Sequence, residues 1–223
     1  MSPAAQFEPL AGYTRLQPEE MGERALTFRQ TLQRRRTVRQ FASDPLPPGL
    51  IEECLQAAGS APSGANLQPW HFAVITDRGR KAQIRRKAEA AEHDFYHQRA
   101  PAEWLAALAP LGTDEHKPYL EVAPVLIGVF VRRFGYGVAG ERISHYYATE
   151  SVGIATGMLI TALHLAGLVT LTHTPSPMHF LNAIFERPDE ERAFVLLVTG
   201  FPAPDAQVPV IRRKGLSDIA SFL

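Results

Sequence analysis

One cysteine, Cys54, stands alone in 223 residues, which leaves no internal disulfide and no cysteine-held metal cluster, and fits a reducing compartment. It sits on the apolar side of a helical pattern with Leu50, Ile51, Leu55 and Ala58, so it reads as core packing rather than as a nucleophile. Excess charge of either sign is also missing: 23 basic side chains meet 23 acidic ones. A chain built mainly to bind nucleic acid or an anionic membrane needs a basic surplus, so any basic site here must be local. The opening "MSPAAQFEPLAGYTRL" has neither a basic start nor an apolar core, and no secretory signal is expected. Repeats and low-complexity tracts are absent. The one long charge-free run spans residues 151–177 and exceeds the ~18 residues that raise a membrane-span hypothesis. Gly167 reads as a helix stop, however, and the β-branched "LVTLT" after it as a strand, so the run divides into a buried helix and a buried strand.

What is present alternates between the two periods of regular structure. Helices are expected at about 18–34, with acids early and arginines late, at 48–58, at 81–108 with much charge, at 144–166 and at 178–185. Strands are expected at "WHFAVIT", at 123–131, at 168–173 and at 193–200. Pro101, Pro110 and Gly112 weaken the helical spacing over 100–117 and predict a mobile excursion there. Strands mixed with long helices indicate an α+β layer fold whose strand order cannot be read from the pattern.

Three motifs imitate known sites. "GYGVAG" at 135–140 fits G-x-G-x-x-G, but "RRF" separates it from the preceding strand and no acid follows the next one, so it reads as a flexible glycine loop. "HDFYH" at 93–97 sets two histidines four apart, with His116 as the only nearby third ligand. It is read as a solvated helix face, and no metal is expected. "RRRTVR" at 34–39 packs four arginines into six residues. Composition leaves open whether this is a solvated helix end or an anion clamp.

Taken together, "RRTVRQF", "APSGANLQPWHF", "GLVTLTHTP" and "VIRRKGL" resemble the FMN-dependent nitroreductase superfamily, and more narrowly its iodotyrosine deiodinase-like branch. The resemblance runs from about residue 18 to the C-terminus. It implies one domain over 1–223: a three-layer sandwich with a central, mostly antiparallel sheet flanked by helices. An N-terminal arm (1–17), an active-site lid (about 88–118) and a C-terminal arm (203–223) complete it, in a domain-swapped homodimer with FMN at the interface. It assigns FMN to Arg35, Arg36, Thr37, Arg39, Pro62, Ser63, Gly64, Thr172, His173, Thr174 and Arg213. The arginines grip the phosphate, and the Thr174 hydroxyl reaches the flavin's redox nitrogen, so it tunes the cofactor and leaves the chemistry with the flavin. His173 stands where animal deiodinases carry threonine.

In the same resemblance "PSGAN" lies beside the flavin ring, where small residues leave room for stacking, and the Ala65 N–H faces the substrate's oxygen. Glu92 and Tyr96 fall four apart on one helical face, and "KPYLEVAP" resembles the deiodinase "KEYLDTAP", which selects Lys117. There the glutamate meets an ammonium, the lysine a carboxylate, and the tyrosine the same zwitterion. The implied activity is reductive dehalogenation of halotyrosines to tyrosine and halide through one-electron steps on reduced FMN, fed by NAD(P)H or a reductase, in a soluble cytoplasmic enzyme without nucleic-acid or membrane partners. A general NAD(P)H-dependent nitroreductase or quinone reductase, and a flavin-binding protein without turnover, are the alternatives.

Overall fold

The expected strands form β1 (Trp70–Ile75) and β2 (Val125–Arg132), followed by a hairpin, β3 (Phe134–Tyr136) and β4 (Arg142–Ser144), then β5 (Val169–His173) and β6 (Glu191–Gly200). The structure is a computed structural model that describes residues 5–137 and 139–223. Its helices are α1 (Pro18–Arg34), α2 (Leu50–Gly59), α3 (Arg78–Asp94), α4 (Ala102–Leu108), α5 (Tyr119–Val122), α6 (Ala148–Leu165), α7 (Phe180–Ile184) and α8 (Leu216–Ile219). Residues up to Arg35 make one compact unit and Arg36–Leu223 another. In the first, Pro18 opens α1 and Glu19 and Glu20 occupy its first turn, where the helix dipole favours acids.

In the second unit four strands pair in the order β1-β2-β6-β5, each antiparallel to its neighbour. A strand covered on both faces must be apolar throughout, and β2 is buried at every position except Arg132. Its odd-numbered residues Val125, Ile127, Val129 and Val131 join Ile51, Cys54 and Ala58 of α2 and Val152, Leu159 and Leu163 of α6 in one core. Leu126 and Phe130 face the other way, onto Ile84 and Ala88 of α3, Tyr119 and Leu120 of α5 and Leu181 of α7. The result is helices, sheet and helices in three layers, as expected for the nitroreductase-like sandwich. Gly167 carries φ +84° just after α6, the left-handed residue that ends a helix. The apolar run is thus divided as its glycine predicts, and among the described residues no helix is long and apolar enough to cross a membrane.

Two local readings change. "GYGVAG" is the turn of the β3–β4 hairpin, with Phe134 opposite Ser144 and Tyr136 opposite Arg142, although Val138 itself lies outside the described residues. The helix expected through 108 stops at Asp94. It runs into one π-helical turn, Phe95–Arg99, and resumes as α4 after Pro101, whose ring ends the hydrogen-bond ladder.

Candidate active site

The segment after Arg35 is threaded beside the sheet. Thr37 bridges Thr170 of β5 in parallel, the Val38 N–H donates to the Thr170 carbonyl at 3.2 Å, and Phe41 bridges Pro202. Two residues beyond each partner, this register sets Arg39 alongside Thr172, and the chain continues through His173 to Thr174. Arg39, Thr172, His173 and Thr174 line one cavity of about 280 Å³ together with Glu92, Tyr96 and Lys117. Residues far apart in the sequence are therefore brought to one place. A neighbouring cavity of about 490 Å³ shares Arg39 and is lined by Thr37, Tyr119 and Pro209 among others.

Charge inside the first cavity is arranged in pairs. Lys117 is 2% exposed. Its Nζ stands 3.4 Å from Glu92 Oε2 and 5.8 Å from the centre of the Tyr96 ring, and it donates to the Asp114 carbonyl. Glu89, one turn before Glu92, accepts from the Lys117 backbone N–H at 2.7 Å and from Arg85 Nε at 2.8 Å. Burial works against the Glu89 carboxylate, but these two donors hold it below the usual carboxylate range. Burial also pushes the Tyr96 hydroxyl up, so it stays protonated, and it donates to the Thr113 carbonyl at 3.1 Å. Arg99 donates to the Ser176 carbonyl at 2.7 Å, tying the π-helical turn to the stretch just after Thr174. Two limbs, one from α3 and one from 113–117, thus contribute to the same cavity wall.

His173 forms part of the wall, stacked edge-on against Tyr119 with ring centres 6.0 Å apart. Burial first, then the charges of Lys117 and Arg39, drives its pKa down to about 3, so the imidazole is neutral. Its Nε2 is buried without a hydrogen-bond partner among the described residues, as are Arg36 Nε and Arg39 Nε. Arg36 also donates to the Pro209 carbonyl. A buried guanidinium nitrogen without an acceptor is a standing invitation to an anion.

The "PSGAN" loop lies elsewhere. It enters β1, an edge strand, while Thr174 leaves β5, the opposite edge. Ala73, Gly128, Leu196 and His173 stand in one row across the sheet, three strand spacings of ~4.8 Å each, so Ser63, Gly64 and Ala65 do not line the lid cavity of their own chain. The loop packs on the start of α6: the Gly64 N–H approaches Ser151 Oγ at 3.4 Å, and the Ser63 hydroxyl accepts from the Gln68 N–H at 3.0 Å. A Cβ at Gly64 would meet the Tyr146 carbonyl oxygen at 3.2 Å, so within this chain glycine is set by that neighbour. Ala65, Asn66, Gln68 and Tyr147 are four of five non-glycine residues with positive φ among those described. Strain gathered in this way marks functional loops and left no signal in the residue types. Pro62 is exposed beside it.

Of the remaining expected residues, Arg213 is exposed on the C-terminal stretch, outside the lining of these two cavities, and Arg35 ends the N-terminal unit, its N–H donating to the Leu32 carbonyl at 3.1 Å. Sequence reasoning missed Glu89, which only the fold connects to Lys117, and Tyr119, which lines both cavities.

With this geometry in hand, the chain was compared with known proteins. Residues 32–201 match the family described as the Nitroreductase family. The iodotyrosine deiodinase of Haliscomenobacter hydrossis is 48% identical over 208 residues, covering 93% of either chain. Iodotyrosine deiodinase 1 of Rattus norvegicus is 41% identical over 213 residues, covering 94% of this chain and 74% of its own length. A crystal structure of oxidized iodotyrosine deiodinase bound to FMN and 3-iodo-L-tyrosine superimposes with a TM-score of 0.74 at 31% identity, over 87% of this chain and 100% of that one. A match over most of the chain, relatives at this identity and a shared three-layer architecture agree: the chain belongs to the nitroreductase family, in its iodotyrosine deiodinase branch.

Proposed function

We infer that this protein is an FMN-dependent oxidoreductase that removes halide from halotyrosines. The observation that carries the reading is the cavity that unites Glu92, Tyr96 and Lys117 with Thr172 and Thr174 in a chain whose relatives are iodotyrosine deiodinases. A site with one carboxylate and one ammonium 3.4 Å apart can exchange each for the opposite end of an α-amino acid. Glu92 takes the substrate ammonium, Lys117 its carboxylate, and the Tyr96 hydroxyl turns from the Thr113 carbonyl to the same zwitterion.

The residues also fit FMN. The unpartnered Nε atoms of Arg36 and Arg39 suit a phosphate, and the exposed Thr172 and Thr174 line the first cavity with hydroxyls able to donate. In this reading Arg35, Arg36, Thr37, Arg39 and Arg213 hold the phosphate and ribityl chain, and His173 and Thr174 border the ring. Bound and reduced, FMN would supply two electrons, delivered singly. In balance, the carbon–halogen bond is broken, halide departs, and a proton completes the new carbon–hydrogen bond of tyrosine. NAD(P)H or a reductase restores the electrons.

The chain's own contribution is placement. The lid limbs exclude water and hold the arene, which is worth several powers of ten when the reacting geometry is fixed. The Thr174 hydroxyl, in the cavity wall, would be the donor that a bound flavin meets. The Ala65 N–H stabilises the phenolate oxygen, a preorganised dipole aimed at charge. Since Ser63, Gly64 and Ala65 sit on the sheet edge opposite Thr174, a second copy of the chain is proposed to bring them to the site, with Pro62 at their side. This makes the enzyme a homodimer: one FMN-binding domain per chain, residues 88–118 as lid, and 1–17, of which 1–4 lie outside the described residues, and 203–223 as exchanged arms. The lone buried Cys54 suits a cytoplasmic home.

Titrating the yellow protein with iodotyrosine, nitrophenol and tyrosine while following FMN fluorescence tests the reading. Lys117→Ala should weaken iodotyrosine binding about 100-fold, because the substrate carboxylate is left without its cationic partner, with FMN content unchanged. Normal binding and turnover by that variant would sink the amino-acid lid. Equal affinity of the wild type for nitrophenol would move the assignment to a general nitroreductase.

A further inference from the structure

Beyond the substrate clasp, the lid's outer surface gathers three metal-ligating side chains. His93 in the last turn of α3 places Nδ1 2.7 Å from Glu115 Oε2, and His97, in the π-helical turn, places Nε2 3.1 Å from the same oxygen. All three ligand atoms lie within 4.8 Å of one another, and the two imidazoles face each other at 4.4 Å between ring centres. The sequence offered His116 as the third group, but the fold supplies Glu115, with His116 Nε2 3.9 Å from its other oxygen. We propose that His93, His97 and Glu115 form a zinc site that staples the two limbs of the lid.

Two imidazoles and a carboxylate are the borderline nitrogen and oxygen set that zinc prefers, with its fourth tetrahedral position open to water. Bonds of ~2.0–2.1 Å at tetrahedral angles set ligand atoms roughly 3.3 Å apart, so the two nitrogen–oxygen spacings need adjust by fractions of an ångström and the nitrogen–nitrogen one by at most about 1.5 Å, within reach of exposed side chains. The histidines are 59% and 57% exposed and the ion enters directly from solvent. Each ligand borders a residue of the proposed substrate clasp: His93 follows Glu92, His97 follows Tyr96, and Glu115 stands two before Lys117. A cation there joins the α3 limb to the 113–117 limb and favours the closed lid by mass action.

The test uses the FMN-loaded, untagged protein. Zinc chloride titrated by calorimetry, and cobalt chloride followed by its visible tetrahedral bands, should show one saturable site per chain. His97→Ala and Glu115→Gln should weaken it at least tenfold, and His116→Ala should leave it unchanged. Zinc should also slow proteolysis within residues 100–117 of the wild type and not of His97→Ala. FMN content reports that each variant is folded. Absence of saturable binding, equal binding by a His93→Ala/His97→Ala variant, or lid cleavage indifferent to zinc would overturn the proposal. The metal titration does not depend on the halotyrosine reading. If dehalogenation fails while zinc binds, only the activity assignment falls.

Discussion

His173 shows how one buried side chain can tie stability to pH. Folded, its imidazole gains a proton only near pH 3; unfolded, it does so near its ordinary value of ~6.5. Its pKa is lowered by folding, so its contribution is whole above ~6.5 and drains away as pH falls towards 3, because protons then favour the unfolded chain. The slope is at most about 1.4 kcal/mol per pH unit. Between pH 7 and pH 5 the wild type should lose up to about 2 kcal/mol more than His173→Thr in denaturant unfolding. Parallel losses in the two proteins would mean that His173 is charged in the fold. Nothing in the residue's letter announced this: the environment made by Tyr119, Lys117 and Arg39 did. Cys54 is the opposite case. Its helical neighbours placed it in the core, where it is 4% exposed, and burial pushes its thiol pKa up.

At the scale of elements, α3 acts as a clasp for the Lys117 segment through Glu89. Removing that carboxylate frees the Lys117 N–H and one Arg85 contact. Glu89→Ala should raise the KM for halotyrosine about tenfold and speed amide exchange over 113–119, with kcat and FMN content little changed. An unaltered KM alongside faster exchange would separate lid order from substrate binding. The same elements show what was legible. Continuous apolar runs yielded β2 and the core of β6, because strands buried on both faces allow little else, and the β-branched stretch after Gly167 yielded β5. The prolines marked weakened helical spacing over 100–117 but not the break at Asp94, since a π-helical turn is settled by packing such as Phe95 on Trp104, ring centres 5.1 Å apart. The β3–β4 hairpin hid behind a glycine motif. The clasp residues were found through resemblance, while Glu115 was hidden, because only the fold brings a loop acid to two helix histidines.

Over the whole molecule, α6 presents apolar side chains on two sides. Val152, Leu159 and Leu163 are fully buried, yet Ile154 is 48% and Leu165 58% exposed, and Tyr146 and Tyr147 stand out beside the strained loop. A helix apolar all round calls for a cover, and the proposed second copy would provide it while carrying its Ser63–Ala65 loop to the flavin. Sedimentation should find a dimer, and Ile154→Glu should give monomers with FMN occupancy reduced severalfold or more. A wild-type monomer holding stoichiometric FMN would refute the shared site.

In the proposed function the ion pair of Glu92 with Lys117 divides the labour of recognition. Because the two charges already satisfy each other, a guest is welcome only if it brings both replacements, which a simple phenol cannot do. Tyrosine, the dehalogenated product, brings the same pair. The clasp therefore reads the backbone end of its guest and is blind to the halogen. Telling substrate from product falls to the arene's far end, where the halogen changes the acidity of the phenol that the Ala65 N–H is proposed to meet.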